Sequence, residues 1–158
     1  MKNLIVYMSH HGTTRKVALK LAQNLGESSS TVIDLGAEEV PNIAAYDTIL
    51  IGGSIHFGRI QKKIQNFCTL NQSDLLHKQI GLFLCAIENY EMKSEFEHSF
   101  PEKLRNHATA CGIFGGELVF TKMNLIEKIF TKLVYGIKAD KSEINTEAIN
   151  LFLNKIKT

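Results

Sequence analysis

Apolar positions along this chain alternate between continuous runs and helical spacing. Leu4-Ile5-Val6-Tyr7-Met8 is an unbroken apolar run, and after a polar interval Val17, Ala18, Leu21, Ala22 and Leu25 recur on one helical face. The pattern predicts a strand over 2–8 and a helix over 13–25, with Gly26 as its stop. A short strand follows at 31–34, then a loop over 37–46 that holds Pro41 and a turn of helix. Asp47-Thr48-Ile49-Leu50-Ile51 reads as a third strand, buried on both faces and closed by Gly52-Gly53. A helix from about 59 to 68 carries Ile60, Ile64 and Phe67 on one face. Next come a strand over 80–86, a loop over 87–90, a helix over 94–107 interrupted near Pro101, and a strand over 110–114. The last helix spans about 142–156, with Ile144, Ala148, Leu151, Phe152 and Ile156 as its apolar face.

Strands alternating with helices predict a parallel α/β sheet with right-handed crossovers. The chain lacks a G-x-G-x-x-G fingerprint, and its five strands favour the order 2-1-3-4-5, a three-layer sandwich of the flavodoxin-like kind. In that order a ligand lies outside the carboxyl ends of strands one, three and four. The segments there are Ser9–Thr14, Gly52–Gly58 and Ile87–Tyr90. We expect one domain over 1–158, with a helical insertion at about 117–140.

Composition narrows the function classes. A formal net charge of +2 and the absence of a basic run with interleaved aromatics argue against nucleic acid as a partner. Cys68, Cys85 and Cys111 form no C-x-x-C pair, which fits a reducing compartment and buried thiols better than a disulfide framework. Neither a signal peptide nor an uninterrupted apolar span is expected, so the reading is cytoplasmic.

The first loop, Ser9-His10-His11-Gly12-Thr13-Thr14, joins a buried strand to a helix start. Helix N-termini leave backbone N–H groups unpaired and carry partial positive charge, so a phosphate is accommodated there. Ser9, Thr13 and Thr14 add hydroxyls, and Gly12 permits a tight turn. The plain alternative is a capped turn with nothing bound. The spacing S-x-x-G-x-T, on Ser9, Gly12 and Thr14, resembles the FMN phosphate loop of flavodoxin-like proteins. The second loop, Gly52-Gly53-Ser54-Ile55-His56-Phe57-Gly58, can place backbone against the edge of an isoalloxazine, with Phe57 or Tyr90 stacked on the ring. Glu88, Asn89 and Tyr90 form the third wall of the expected cofactor site. The histidines 10, 11 and 56 read as solvent-facing, with bonds to phosphate or substrate as the alternative.

The insertion departs from a plain flavodoxin. Leu125, Ile126, Ile129, Phe130, Leu133, Val134 and Ile137 recur at helical spacing, with Lys122, Lys128, Lys132 and Lys138 between them. Such a basic amphipathic helix either completes the core or lies at a membrane surface or over an apolar pocket, through about 118–138. Three stretches, MKNLIVYMSHHGTTRKVA, IGGSIHFGRIQKKIQNF and FGGELVFTKMNLIEKIFTKLVYGIKADKSEIN, resemble the menaquinone-dependent protoporphyrinogen oxidase branch of the flavodoxin-like proteins. That resemblance implies a non-covalent FMN held by Ser9, Gly12, Thr14, Gly53, Ser54, Phe57 and Gly58. It also implies electron transfer from a porphyrinogen through FMN to a quinone at the inner face of the cell membrane. Two other readings stand beside it: an electron carrier between protein redox partners, and a flavodoxin-like scaffold without flavin.

Overall fold

A computed structural model describes residues 1–87, 91–118, 120–136 and 139–158. Its elements in chain order begin with β1 (Asn3–Met8), α1 (Thr13–Leu25), β2 (Ser30–Asp34), β3 (Thr48–His56), β4 (Arg59–Ile60), α2 (Lys62–Leu70) and α3 (Gln72–Leu75). They continue with β5 (Gln79–Cys85), α4 (Met92–Ser99), α5 (Glu102–His107), β6 (Ala110–Ile113), β7 (Glu117–Leu118), α6 (Leu125–Tyr135), β8 (Lys141–Ser142) and α7 (Thr146–Lys157).

The main sheet runs β2-β1-β3-β5-β6 with parallel pairing throughout, and β4 adds an antiparallel flap to the end of β3. The expected order of the parallel strands is therefore the observed one. Alternate residues of each strand face opposite layers. Leu4, Val6, Ile49, Ile51, Ile80 and Leu82 pack with Ile64 and Phe67 of α2 and Leu104 of α5. Ile5, Tyr7, Leu50 and Phe83 pack instead with Leu21 of α1 and with Phe152 and Ile156 of α7. Burial on both faces explains why these strands are unbroken apolar runs rather than alternating ones.

The structure departs from the sequence reading at 52–58. Gly52 and Gly53 do not end β3 but lie inside it, paired with Phe83 and Leu84 of β5. A Cβ on Gly52 would stand 2.3 Å from the Phe83 ring, and one on Gly53 2.5 Å from Gln61 Oε1. Gly52 therefore answers to the neighbouring strand, and Gly53 to Gln61 and Ile60 packed over it. β3 then turns back on itself, with His56 opposite Arg59 and Phe57-Gly58 between them. Both turn residues have positive φ, 51° and 71°, as a two-residue type I′ hairpin requires. Arg59 thus belongs to β4, and the following helix starts at Lys62.

The insertion is rooted by β7 and β8, which pair with each other antiparallel. Between them α6 opens on a capping box: Asn124 Oδ1 accepts from Glu127 N at 2.9 Å, and Glu127 Oε2 accepts from Asn124 N at 2.8 Å. Gly136, at φ 67°, closes it. Among the described residues no helix is long and apolar enough to cross a membrane.

Candidate functional site

The carboxyl ends of β1, β3 and β5 meet beneath the insertion. They enclose a cavity of about 90 Å³, lined by Ser9, His10, His11 and Thr13, by Ser54, Ile55, His56 and Phe57, and by Cys85, Ala86 and Ile87. The insertion supplies the remaining wall through Gly116, Glu117, Met123, Glu127, Phe130 and Thr131. This is the switch point at which the chain leaves β1 and β3 in opposite directions across the sheet.

The first segment is built for an anion. Gly12, at φ 96°, is the cap residue of α1, and no side chain among the described residues caps that helix. Its first intrahelical bond is Lys16 N to Gly12 O at 3.1 Å, so the amides of Thr13, Thr14 and Arg15 have no intrahelical acceptor. The first turn holds no acidic residue. Ser9 Oγ accepts from Gly12 N at 2.9 Å, which folds the loop across the helix start. A Cβ on Gly12 would meet nothing within 4 Å, so open space lies over the cap.

Thr14 differs from its neighbours. It is fully buried, its Oγ1 has no hydrogen-bond partner among the described residues, and it does not line the cavity. The Cys85 thiol beside it is pushed up to about 12 by burial, with the Thr14 hydroxyl acting slightly the other way. Glu117 projects from the insertion to this turn. It accepts from Lys16 Nζ at 2.8 Å, Thr13 Oγ1 at 3.4 Å and Ser142 Oγ at 3.1 Å. The Lys16 bond is the chief cause holding its carboxyl below the ordinary carboxylate value.

The hairpin carries the aromatic wall. Phe57 is a non-glycine residue in the left-handed region, a conformation costing about 1–2 kcal/mol, and it is 43% exposed. Its ring meets His56 at 4.3 Å and Phe130 at 4.5 Å between centroids. Below it Gln61 ties the hairpin down, its Oε1 accepting from Ser54 N at 3.2 Å and its Nε2 donating to Ser54 Oγ at 2.6 Å.

The histidines are not scattered into solvent as expected. His10 is exposed, but His11 and His56 are half-buried, and each brings Nε2 to within 3.4 Å of Glu127 Oε1. The rings of His10 and His56 lie 4.4 Å apart. Burial lowers the pKa of His56, and His10 and His11 push the same way against the pull of Glu127.

Of the expected cofactor residues, Ser9, His10, His11, Thr13, Ser54, Ile55 and Phe57 line the cavity, together with His56. Gly12, Thr14, Gly52, Gly53 and Gly58 stand behind that lining in the loop, sheet and hairpin that shape it. Glu88, Asn89 and Tyr90 lie outside the described residues. Sequence reasoning missed Cys85, Glu117, Glu127, Phe130 and Thr131 as wall residues. The N-x-x-E capping box was the one local signal at Glu127.

FMN can be tested against this geometry. The phosphate end fits through the uncapped amides, the Ser9 hydroxyl and the open space over Gly12, while the Thr13 hydroxyl is engaged by Glu117, whose charge is paired with Lys16. The ring end is tighter, because about 90 Å³ is below the roughly 300 Å³ at which small-molecule sites begin. The rings of His56, Phe57 and Phe130 are packed against one another there.

Comparison with known proteins gives the same frame. Protoporphyrinogen IX dehydrogenase [quinone] of Escherichia coli (strain K12) is 22% identical over 157 residues, spanning 94% of this chain and 87% of the relative. The Leishmania major protein of that name is 18% identical over 94% of this chain and 68% of its own length. Among solved structures, Bacillus cereus flavodoxin 1 superposes with a TM-score of 0.55 at 19% identity, over 99% of this chain and 95% of the other. A flavodoxin from the domain Archaea gives a TM-score of 0.56 at 15% identity over the whole of both chains. The flavodoxin domain, described by the family Flavodoxin_5, matches residues 4–145. The chain therefore belongs to the flavodoxin domain family, distantly related over its full length to the quinone-dependent protoporphyrinogen IX dehydrogenases.

Proposed function

We propose that the chain is an FMN-dependent oxidoreductase that takes electrons from a porphyrinogen and passes them to a quinone. One observation carries the reading beyond that of an electron carrier: the insertion walls the pocket. Glu127, Phe130 and Thr131 of α6 share one cavity with Ser9, Thr13 and Phe57 of the flavodoxin frame. A pocket with its own cover suits a small substrate better than an open flavin edge presented to another protein.

In this reading the first-turn amides of α1 and the Ser9 hydroxyl would hold the FMN phosphate, as helix N-termini hold anions. Bound flavin supplies hydride and single-electron chemistry. Ser54 and Phe57 of the hairpin, with Ala86 and Ile87 after β5, would hold and orient the ring. Phe57 and Phe130 would shield a ring bound beside them from water.

The outer surface of α6 supports the quinone half of the proposal. Its polar residues Glu127 and Thr131 turn inward, while Leu125, Ile126 and Leu133 are 72%, 70% and 79% exposed. Lys122, Lys128 and Lys132 accompany that apolar row. An apolar strip with basic neighbours suits the surface of an anionic bilayer, where lipophilic quinones reside.

The test is anaerobic. FMN-loaded protein is mixed with protoporphyrinogen IX and then with a menaquinone analogue, and its visible spectrum is followed. Bleaching by the first and recovery with the second is the expected result. A flavin spectrum untouched by both overturns the porphyrinogen reading and favours the electron-carrier alternative.

A further inference from the structure

His11, His56 and Glu127 come from three separate elements: the β1–α1 loop, the β3–β4 hairpin and the insertion helix α6. Nothing in flavin binding calls for this convergence. The ligand-capable atoms of all three lie within 4.8 Å of one another. Both imidazole Nε2 atoms stand 3.4 Å from the same carboxylate oxygen, Glu127 Oε1. That separation is too long for a charge-assisted N–H···O bond, which prefers about 2.7–2.9 Å. It matches the edge of a metal tetrahedron. With ligand bonds of about 2.0–2.2 Å to nitrogen and oxygen, neighbouring ligands stand about 3.4 Å apart.

We infer that His11, His56 and Glu127 form a binding site for a divalent transition-metal ion of the zinc class, one that pins the insertion to the flavodoxin frame. Two imidazoles and one carboxylate are the donor set of such ions, and three protein ligands leave a further position for water or a substrate oxygen. That position opens on the cavity, which gives the ion its entry path. The carboxylate is already oriented, because Glu127 Oε2 accepts from Asn124 N at 2.8 Å and leaves Oε1 to the histidines. Such supporting bonds typically accompany metal ligands.

The site does not depend on the flavin reading, and its test uses metal binding alone. Chelator-stripped full-length protein is titrated with Zn²⁺ by calorimetry and with Co²⁺ by visible absorption. One ion per chain is expected, and Co²⁺ should show the ligand-field bands of a four- or five-coordinate nitrogen and oxygen site. Glu127→Gln and His56→Ala should each weaken Zn²⁺ binding by at least about tenfold. Glutamine also serves in a capping box, so Glu127→Gln removes the ligand charge while keeping α6 capped. Thermal melts of the metal-free variants confirm that they are folded. The exposed His98 is the control, and His98→Ala should bind as the parent does. No stoichiometric ion in the parent, or binding that survives both Glu127→Gln and His56→Ala, would overturn the site.

Discussion

The ring of Phe130 meets the ring of Phe57 nearly edge-on, at 76° with centroids 4.5 Å apart. One residue belongs to the insertion and the other to the tip of the β3–β4 hairpin, where it sits at positive φ. A strained aromatic at the pocket mouth is thus packed against the covering helix.

Replacing Phe57 by Asn should separate these roles. Asn tolerates the left-handed conformation, so strain is relieved, while an aromatic contact worth about 0.5–1.5 kcal/mol is lost. Global stability in urea should therefore change by less than about 1 kcal/mol. Trypsin should nevertheless cut faster at Lys122, Lys128 or Lys132, because α6 has lost one of its contacts with the frame. Unchanged digestion would show that the ring contact does not hold the insertion.

Gly52→Ala should be costly for the reason seen in the sheet. The added Cβ would fall 2.3 Å from Phe83, which is fully buried and stacked on Phe114 at 5.5 Å. Overpacking of this kind costs about 1–3 kcal/mol, read as a lower urea midpoint. A neutral result would mean that Phe83 has room to move.

Glu117 gives the protein a defined acid sensitivity. Lys16 lowers its pKa from the ordinary 4.5 in the folded state. A depressed carboxylate contributes stability that is complete above the unfolded value and is lost as pH falls through the folded one. The stability difference between the parent and Glu117→Gln should therefore be constant above about pH 5 and vanish in the acid range below 4.5. A difference that grew on acidification would contradict the assignment.

The thiols should react unequally. Burial pushes Cys68 and Cys85 up to about 12; it raises Cys111 too, but that thiol is exposed and Lys155 and Arg105 pull it the other way. A disulfide reagent near neutral pH should label one thiol promptly and the other two only on unfolding. Prompt labelling of Cys85 would mean that the cavity wall opens readily.

The outer face of α6 predicts lipid binding. The parent should co-sediment with anionic vesicles more than with neutral ones, and Ile129→Asp with Leu133→Asp should abolish the difference. Equal sedimentation of parent and variant would remove the bilayer from the proposal.

The parallel sheet was legible because strands buried on both faces are written as continuous apolar runs, as Leu4–Met8 and Ile80–Cys85 are. The region from Gly52 to Gly58 was not. A glycine pair after an apolar run reads locally as a turn, whereas the demand for Gly52 comes from Phe83 on the neighbouring strand. The hairpin at Phe57-Gly58 was hidden further because a phenylalanine is not the residue expected at positive φ. At Glu127 the capping box is visible in the sequence. Its second oxygen meets His11 and His56 only because the insertion folds back over the β1 and β3 ends, which no local pattern records.

The phosphate site is probed most directly by FMN binding, followed by flavin fluorescence quenching, with the parent, Gly12→Ala and Gly12→Glu side by side. Both substitutions carry the same backbone strain at φ 96°, but only glutamate places negative charge over the uncapped start of α1. One FMN per chain is expected in the parent, with modest weakening in Gly12→Ala and a loss of about 100-fold or more in Gly12→Glu. No quenching in the parent, or equal affinity in the two variants, would contradict a phosphate resting on this helix.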